Sequence, residues 1–244
     1  MESDKNKNHW DKMNVNYSRA WQSKAKQEMS QRELGFINKY LTDYLPRTIL
    51  DIGVGNGRIL DNIVKNSRGQ SQIFGLDISE NMVNICREKF KNESAVKKIE
   101  VCDISREEIC FDDNFDLITA IRVLQYNKNW AEILERIFRK LVKGGVCIFT
   151  MPNSHSITAL RKDTFSEHKI PIRYANKKRM EKILAGIGYR VIEARGFSKI
   201  PNIFYDINDN YFYVKSLLRS EKFLEKIFGK SLLSRVLFFA CLRE

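Results

Sequence analysis

Apolar positions recur along this chain in two rhythms, and the alternation between them predicts most of its elements. Trp10, Val15, Tyr17, Trp21, Met29, Leu34, Phe36, Ile37, Tyr40 and Leu41 return at roughly helical intervals, which predicts one or two amphipathic helices. Residues 1 to 12 are mostly polar, so they are expected to order only when something binds. From Thr48 onward short apolar runs take over: TILDI, QIFGLD from Gln72, IEVCDI from Ile99 and FDLITAI from Phe115. Each is short enough for a buried strand and is followed by a helical pattern. The helices are expected from Arg58, from Ser79 as N-cap, over Trp130–Leu141 (ended by Gly144 and Gly145, which open a fifth strand) and over Lys177–Leu184. Tyr189–Lys199 reads as a sixth strand and Arg235–Leu242 as the last, with an aromatic helical insertion over about 202–228 between them. Ser156–Lys169 is polar and has no clear pattern. Repeated strand–helix units without internal repeats or a low-complexity linker imply an α/β sheet with right-handed crossovers.

The densest chemistry lies in Thr48–Leu60, TILDIGVGNGRIL. Ile49, Leu50 and Ile52 form the strand, Gly53, Gly55 and Gly57 a turn that can take positive φ, and Ile59, Leu60, Ile63 and Val64 the face of a helix. Such a turn presents free backbone N–H groups at a helix N-terminus, a nucleotide-type site at the carboxyl end of a strand. Two other readings compete. The glycines could serve only a turn, or they could belong to the dinucleotide fingerprint G-x-G-x-x-G. The fingerprint fits badly, because Arg58 stands where its third glycine belongs and Gly57 comes one place early.

Composition narrows the class further. The 244 residues, 43% hydrophobic and 30% charged, suffice for one well-buried α/β domain. The chain has no apolar run of about 18 residues and its N-terminus has no apolar stretch of a secretory leader, so a cytoplasmic protein is expected. Its five cysteines are widely spaced and never form C-x-x-C, which suggests neither a disulfide framework nor a zinc site, and no metal is expected. The net charge is +12, and Arg139–Lys199 alone carries 14 Lys and Arg against 4 Asp and Glu. Such a surface could attract RNA, an anionic membrane or a phosphorylated substrate; equally, the residues could be solvated helix faces.

The spacing Asp51, Gly53, Gly55, Gly57 resembles motif I of the class I S-adenosylmethionine-dependent methyltransferases, and the later motifs follow in order. Asp77, 20 residues past Gly57, resembles the acid of motif II, where a strand-end carboxylate accepts both ribose hydroxyls; as a plain helix-start acid it would also be ordinary. Ile78 and Met82 would line the adenine, and Asp103 with Ile104 resembles motif III, which reads the adenine edge. Asp116 and the run Ala120, Ile121, Arg122 resemble motif IV and the segment beneath the methionine end. HWDKMNVNYSRAW resembles the N-terminal segment that caps the cofactor, which implies Tyr17 as a cofactor contact and Trp10 as a lid residue, or else both as plain helix packing.

What the resemblance implies is a Rossmann-like, doubly wound, mostly parallel seven-stranded sheet with helices on both faces. It implies a helical cap over 1–45, a cofactor core over 46–153 and a substrate-side half over 154–244, all within one domain. The cofactor is S-adenosylmethionine, and its expected ligands are Tyr17, Asp51, Gly53, Gly55, Asn56, Gly57, Asp77, Ile78, Met82, Asp103, Ile104, Ala120, Ile121 and Arg122. The expected reaction is methyl transfer to an O or N atom of a small-molecule acceptor. Ala120–Val123 lacks the run of Asn or Asp, Pro-Pro and an aromatic by which members of this superfamily that methylate exocyclic amines are marked, and no Pro-Cys pair signals attack on cytosine C5. Where a base is needed, His155 is the candidate, with Tyr126 and Arg122 as substrate contacts; a loop histidine can equally be just solvated. An RNA-modifying methyltransferase, a non-catalytic binding protein and a nicotinamide oxidoreductase are the alternatives.

Overall fold

The computed structural model describes residues 2–12, 22–67, 69, 71–156, 159, 170–201, 204–205, 207–229 and 231–244. Seven strands form one sheet: β1 (Thr48–Ile52), β2 (Gln72–Asp77), β3 (Val96–Val101), β4 (Phe115–Ala120), β5 (Leu141–Pro152), β6 (Tyr189–Phe197) and β7 (Val236–Arg243). Their order is β3-β2-β1-β4-β5-β7-β6. β1 to β5 run parallel, while β7 is antiparallel to both β5 and β6. The helices among the described residues are α1 (Glu2–Lys12), α2 (Lys24–Tyr44), α3 (Arg58–Asn66), α4 (Glu80–Phe90), α5 (Trp130–Lys140), α6 (Lys177–Ile187) and α7 (Tyr211–Phe228).

Alternation along β1 builds the two layers. Leu50 and Ile52 join Ile133 and Ile137 of α5 and Met180 and Leu184 of α6 on one face. Ile49 joins Ile37 and Leu41 of α2, Ile63 of α3 and Val83 of α4 on the other. A sheet covered on both faces needs apolar strands throughout, which is why the short runs were legible. The strand order reverses between β1 and β4, and the carboxyl ends of strands at such a switch point are where open α/β sheets take their ligands.

Several boundaries differ from the expectation. Residues 2–12 form a helix anchored to the body: Arg106 Nη2 donates to Asp4 at 2.6 Å and Arg173 Nη2 to Glu2 at 2.7 Å. A polar segment is thus held by polar contacts that no periodicity records. The helix from Trp130 ends at Lys140 rather than at the glycine pair, and β5 already starts at Leu141. Gly144 at φ 80° takes the left-handed turn of an irregularity in β5, so the pairing with β4 jumps from Phe115–Leu141 to Leu117–Val146. β3 closes at Val101, leaving Asp103 in the turn beyond it.

Candidate functional site at the strand switch point

β1 and β2 bring Asp51 and Asp77 to the same end of the sheet, and the glycine turn passes between them. Asp51 is 1% exposed. It pairs in register with Thr119 on β4, whose Oγ1 donates to Asp51 Oδ1 at 2.7 Å. Asp51 Oδ2 is buried and has no hydrogen-bond partner among the described residues. Burial pushes its pKa up to about 7, against the opposing pull of the Thr119 hydrogen bond and of the Arg58 charge. In the sequence Thr119 is marked only as a hydroxyl residue inside the apolar, buried run Leu117–Ala120.

The turn is closed against β2 by Gly53 N and Val54 N, which donate to Leu76 O at 2.7 and 3.1 Å. Gly53 sits at φ 74°, and a Cβ there would lie 2.4 Å from Val123 Cγ2. Gly55 N donates to Asp77 Oδ2 at 2.9 Å, while Asp77 Oδ1 accepts Ser79 N at 2.9 Å. Each carboxylate oxygen keeps acceptor capacity for a further donor. Burial raises the Asp77 pKa, opposed by these backbone donors. Gly57 is the N-cap of α3, and Asn56 lies half-buried in the turn before it.

Asp103 has a different set of partners. Its Oδ1 accepts Ser105 N at 3.0 Å and Ser105 Oγ at 2.6 Å, and its Oδ2 accepts the hydroxyl of Ser3 on α1. Ile104 and Met82 are buried, and Ile78 is half-buried. Helix α1 crosses this end of the sheet: Ser79 Oγ donates to Asp11 Oδ1 at 2.6 Å, and Asn6 Nδ2 to Tyr126 O at 2.9 Å. Trp10 meets the Tyr126 ring edge-on at 5.3 Å. Tyr17 lies outside the described residues.

Beneath β4, Ala120 and Ile121 are buried. Arg122 adopts φ 62°, held there by its N–H donating to Thr150 Oγ1 at 2.7 Å. Its guanidinium pairs with Glu33 of α2, which also accepts Arg58 Nη2 at 3.0 Å. Glu33 is only 3% exposed, so one buried carboxylate ties α2, α3 and the end of β4 together. This hub was missed, because a glutamate in an amphipathic helix reads as solvent-facing. Asp116 works at the opposite end of the sheet, where its Oδ2 accepts Arg47 N and Thr48 N at 2.8 and 2.9 Å.

His155 lies past β5, exposed, with its backbone N–H donating to Asn153 Oδ1 at 3.0 Å. The site acids Asp51, Asp77 and Asp103 belong to β1, β2 and the turn after β3, whereas His155 follows β5, two strands from β1 on the other side. Some cations of the basic second half are engaged locally: Arg139 with Glu108 at 2.7 Å, Arg190 with Glu244 at 2.6 Å and Lys177 with Glu181 at 3.6 Å.

Residues 47–195 match a family model described as a methyltransferase domain. A demethylmenaquinone methyltransferase of Lactococcus lactis is 32% identical over 130 residues, 52% of this chain and 50% of that protein. A ubiquinone/menaquinone biosynthesis C-methyltransferase of Vibrio cholerae is 30% identical over 127 residues, 50% of this chain and 48% of its own. The chain therefore spans about half the length of the curated relatives it matches. Magnesium protoporphyrin IX methyltransferase from Synechocystis PCC 6803, solved with bound S-adenosylhomocysteine, superposes with a TM-score of 0.68 at 12% identity and 100% coverage of both chains.

Proposed function

Since the chain belongs to the class I S-adenosylmethionine-dependent methyltransferases, we propose that it transfers a methyl group from S-adenosylmethionine to a small-molecule acceptor. The observation that carries this reading is the pair of buried strand-end acids flanking a positive-φ glycine turn, one of them with an unsatisfied oxygen. Asp51 Oδ2 is buried in low-dielectric surroundings and calls for a donor or a cation. An ammonium, as at the amino-acid end of this cofactor, supplies both.

In this reading Asp77 accepts the two ribose hydroxyls, with Gly55 N and Ser79 N fixing its carboxylate plane. The backbone of Gly53–Gly57 lies against the amino-acid end, and Ala120, Ile121 and Arg122 form the floor beneath it. Ile78, Met82 and Ile104 provide the apolar walls for the adenine, and Asp103 the polar edge, once the Ser3 hydroxyl yields one of its oxygens. Trp10 and Tyr126 belong to a lid that excludes water.

When bound, the cofactor supplies a sulfonium methyl whose leaving group is a neutral thioether. The residues of this chain then contribute mainly by orientation, holding the acceptor in line with that methyl. A base is required only where the acceptor must lose a proton, and His155, just past β5, is the candidate for that role. The acceptor atom is O or N in the first reading. A ring carbon of a quinone-type acceptor is the second, favoured by the names of the curated relatives.

Titration calorimetry tests the cofactor assignment. S-adenosylmethionine and S-adenosylhomocysteine should bind and NAD should not; binding of NAD alone would overturn it. Asp77→Ala should weaken S-adenosylhomocysteine by about 10- to 100-fold, the worth of hydrogen bonds to a charged group. Transfer of a labelled methyl group to demethylmenaquinone, compared with phenol, amine and sugar acceptors, separates the two acceptor readings.

A further inference from the structure

Helix α7 has two unlike faces. Val214 and Glu221 are buried against the body, and Leu217, Leu218, Leu224 and Glu225 are half-buried on the same side. The side facing solvent carries Phe212, Phe223 and Ile227, exposed by 79%, 63% and 57%. At about 100° per residue these three fall within an arc of roughly 60°. Lys215, Arg219, Lys222 and Lys226, all exposed, occupy the adjoining arc. Both acids of the helix point the other way, Glu221 into a 2.6 Å ion pair with Arg32 of α2.

We propose that this outward face docks the protein on an anionic lipid bilayer. An apolar stripe bordered by cations, with no acid among them, is the pattern of a helix lying in the plane of a membrane interface. The phenyl and sec-butyl groups would enter the acyl boundary while the ammonium and guanidinium groups meet headgroup phosphates. The basic stripe also borders a groove of about 470 Å³ between α2 and α7, whose charged lining among the described residues is Lys24, Arg32, Lys215, Arg219 and Lys222 with Glu28 as the one acid. That groove would hold one headgroup. RNA suits this face less, because Ile227 offers no ring for a base to stack on. No helix among the described residues is long and apolar enough to cross a membrane, so the contact is with the surface.

Co-sedimentation of the full chain with large unilamellar vesicles tests the proposal. The protein should pellet with phosphatidylcholine–phosphatidylglycerol vesicles, stay in solution with phosphatidylcholine alone, and be released by salt. Phe212→Ser with Phe223→Ser should lower vesicle affinity by at least about tenfold. Lys222→Gln and Lys226→Gln should each lower it about fivefold. All four side chains face solvent, so thermal stability and S-adenosylhomocysteine binding should stay as in the wild type, which separates this outcome from a failure of the cofactor reading. Absence of binding to anionic vesicles, or binding that ignores these substitutions, overturns the proposal. So does tRNA binding that depends on the lysines while vesicles are ignored, or a dimer in light scattering that Phe212→Ser dissolves.

Discussion

At the scale of single residues, Gly53 shows how tightly the turn is constrained. Its φ of 74° is one that L side chains rarely adopt, and a methyl group there would lie 2.4 Å from Val123 Cγ2. Gly53→Ala should therefore cost about 1–3 kcal/mol in urea unfolding. The two causes can be separated. Adding Val123→Ala relieves the collision but not the backbone strain, so the pair should be more stable than the sum of the two single changes predicts. A neutral Gly53→Ala would mean that the turn adjusts freely, and would remove the rigid cradle from the functional reading. Arg122 is the counterpart at the end of β4: a bulky residue at φ 62°, kept there by Thr150 and Glu33. Strain of this kind gathers where backbone must be placed for a ligand.

Among the elements, Glu33 decides how α2 meets the glycine turn. It receives Arg58 from the first turn of α3 and Arg122 from the end of β4, and is almost fully buried. Removing the shared carboxylate of such a network takes from both arginines their counter-charge in a poor dielectric. Glu33→Ala should thus lose about 3–5 kcal/mol, and Glu33→Gln, which can keep some of the hydrogen bonds, should lose less. A loss below about 1 kcal/mol in chemical denaturation would place the pair with ordinary surface salt bridges. This hub also marks the limit of what the sequence shows. The strand ends Asp51 and Asp77 and the turn between them were legible, because strand, glycine and acid are neighbours in the chain and obey local rules. Glu33 meets Arg58 across 25 residues and Arg122 across 89, and nothing local marks it as buried. For the same reason α1 was read as polar and unordered: its order comes from partners such as Asp103 and Arg106, about a hundred positions away. The fold class was legible from the two hydrophobic rhythms, whereas the β5 irregularity and the outward face of α7 depend on what packs nearby.

For the molecule as a whole, the buried Asp51 couples stability to pH. Burial lifts its pKa from the ordinary carboxylate value near 4 to about 7 in the folded chain. A group raised on folding favours the fold below its unfolded pKa, and that contribution disappears as pH climbs through the folded value. Unliganded protein should accordingly lose up to about 4 kcal/mol from this residue between pH 4 and pH 7, and no more above it. Asp77, raised in the same direction, adds to the slope, while Glu193 opposes it: despite the raising effect of its burial, the hydrogen bond from Lys39 keeps its carboxyl below the usual range. The comparison that isolates Asp51 is Asp51→Asn, which keeps the volume and an acceptor for Thr119. The variant should gain stability over the wild type progressively from pH 4 to pH 7 and hold a constant advantage beyond, as read by thermal melts at matched pH. Saturating S-adenosylhomocysteine, whose ammonium would sit by Asp51 in the proposed function, should flatten that difference by returning the folded pKa toward its ordinary value. If the difference between variant and wild type is the same at every pH, Asp51 is not held near neutrality. If it persists unchanged with ligand bound, the cation lies elsewhere and the ammonium must be assigned to another part of the crevice.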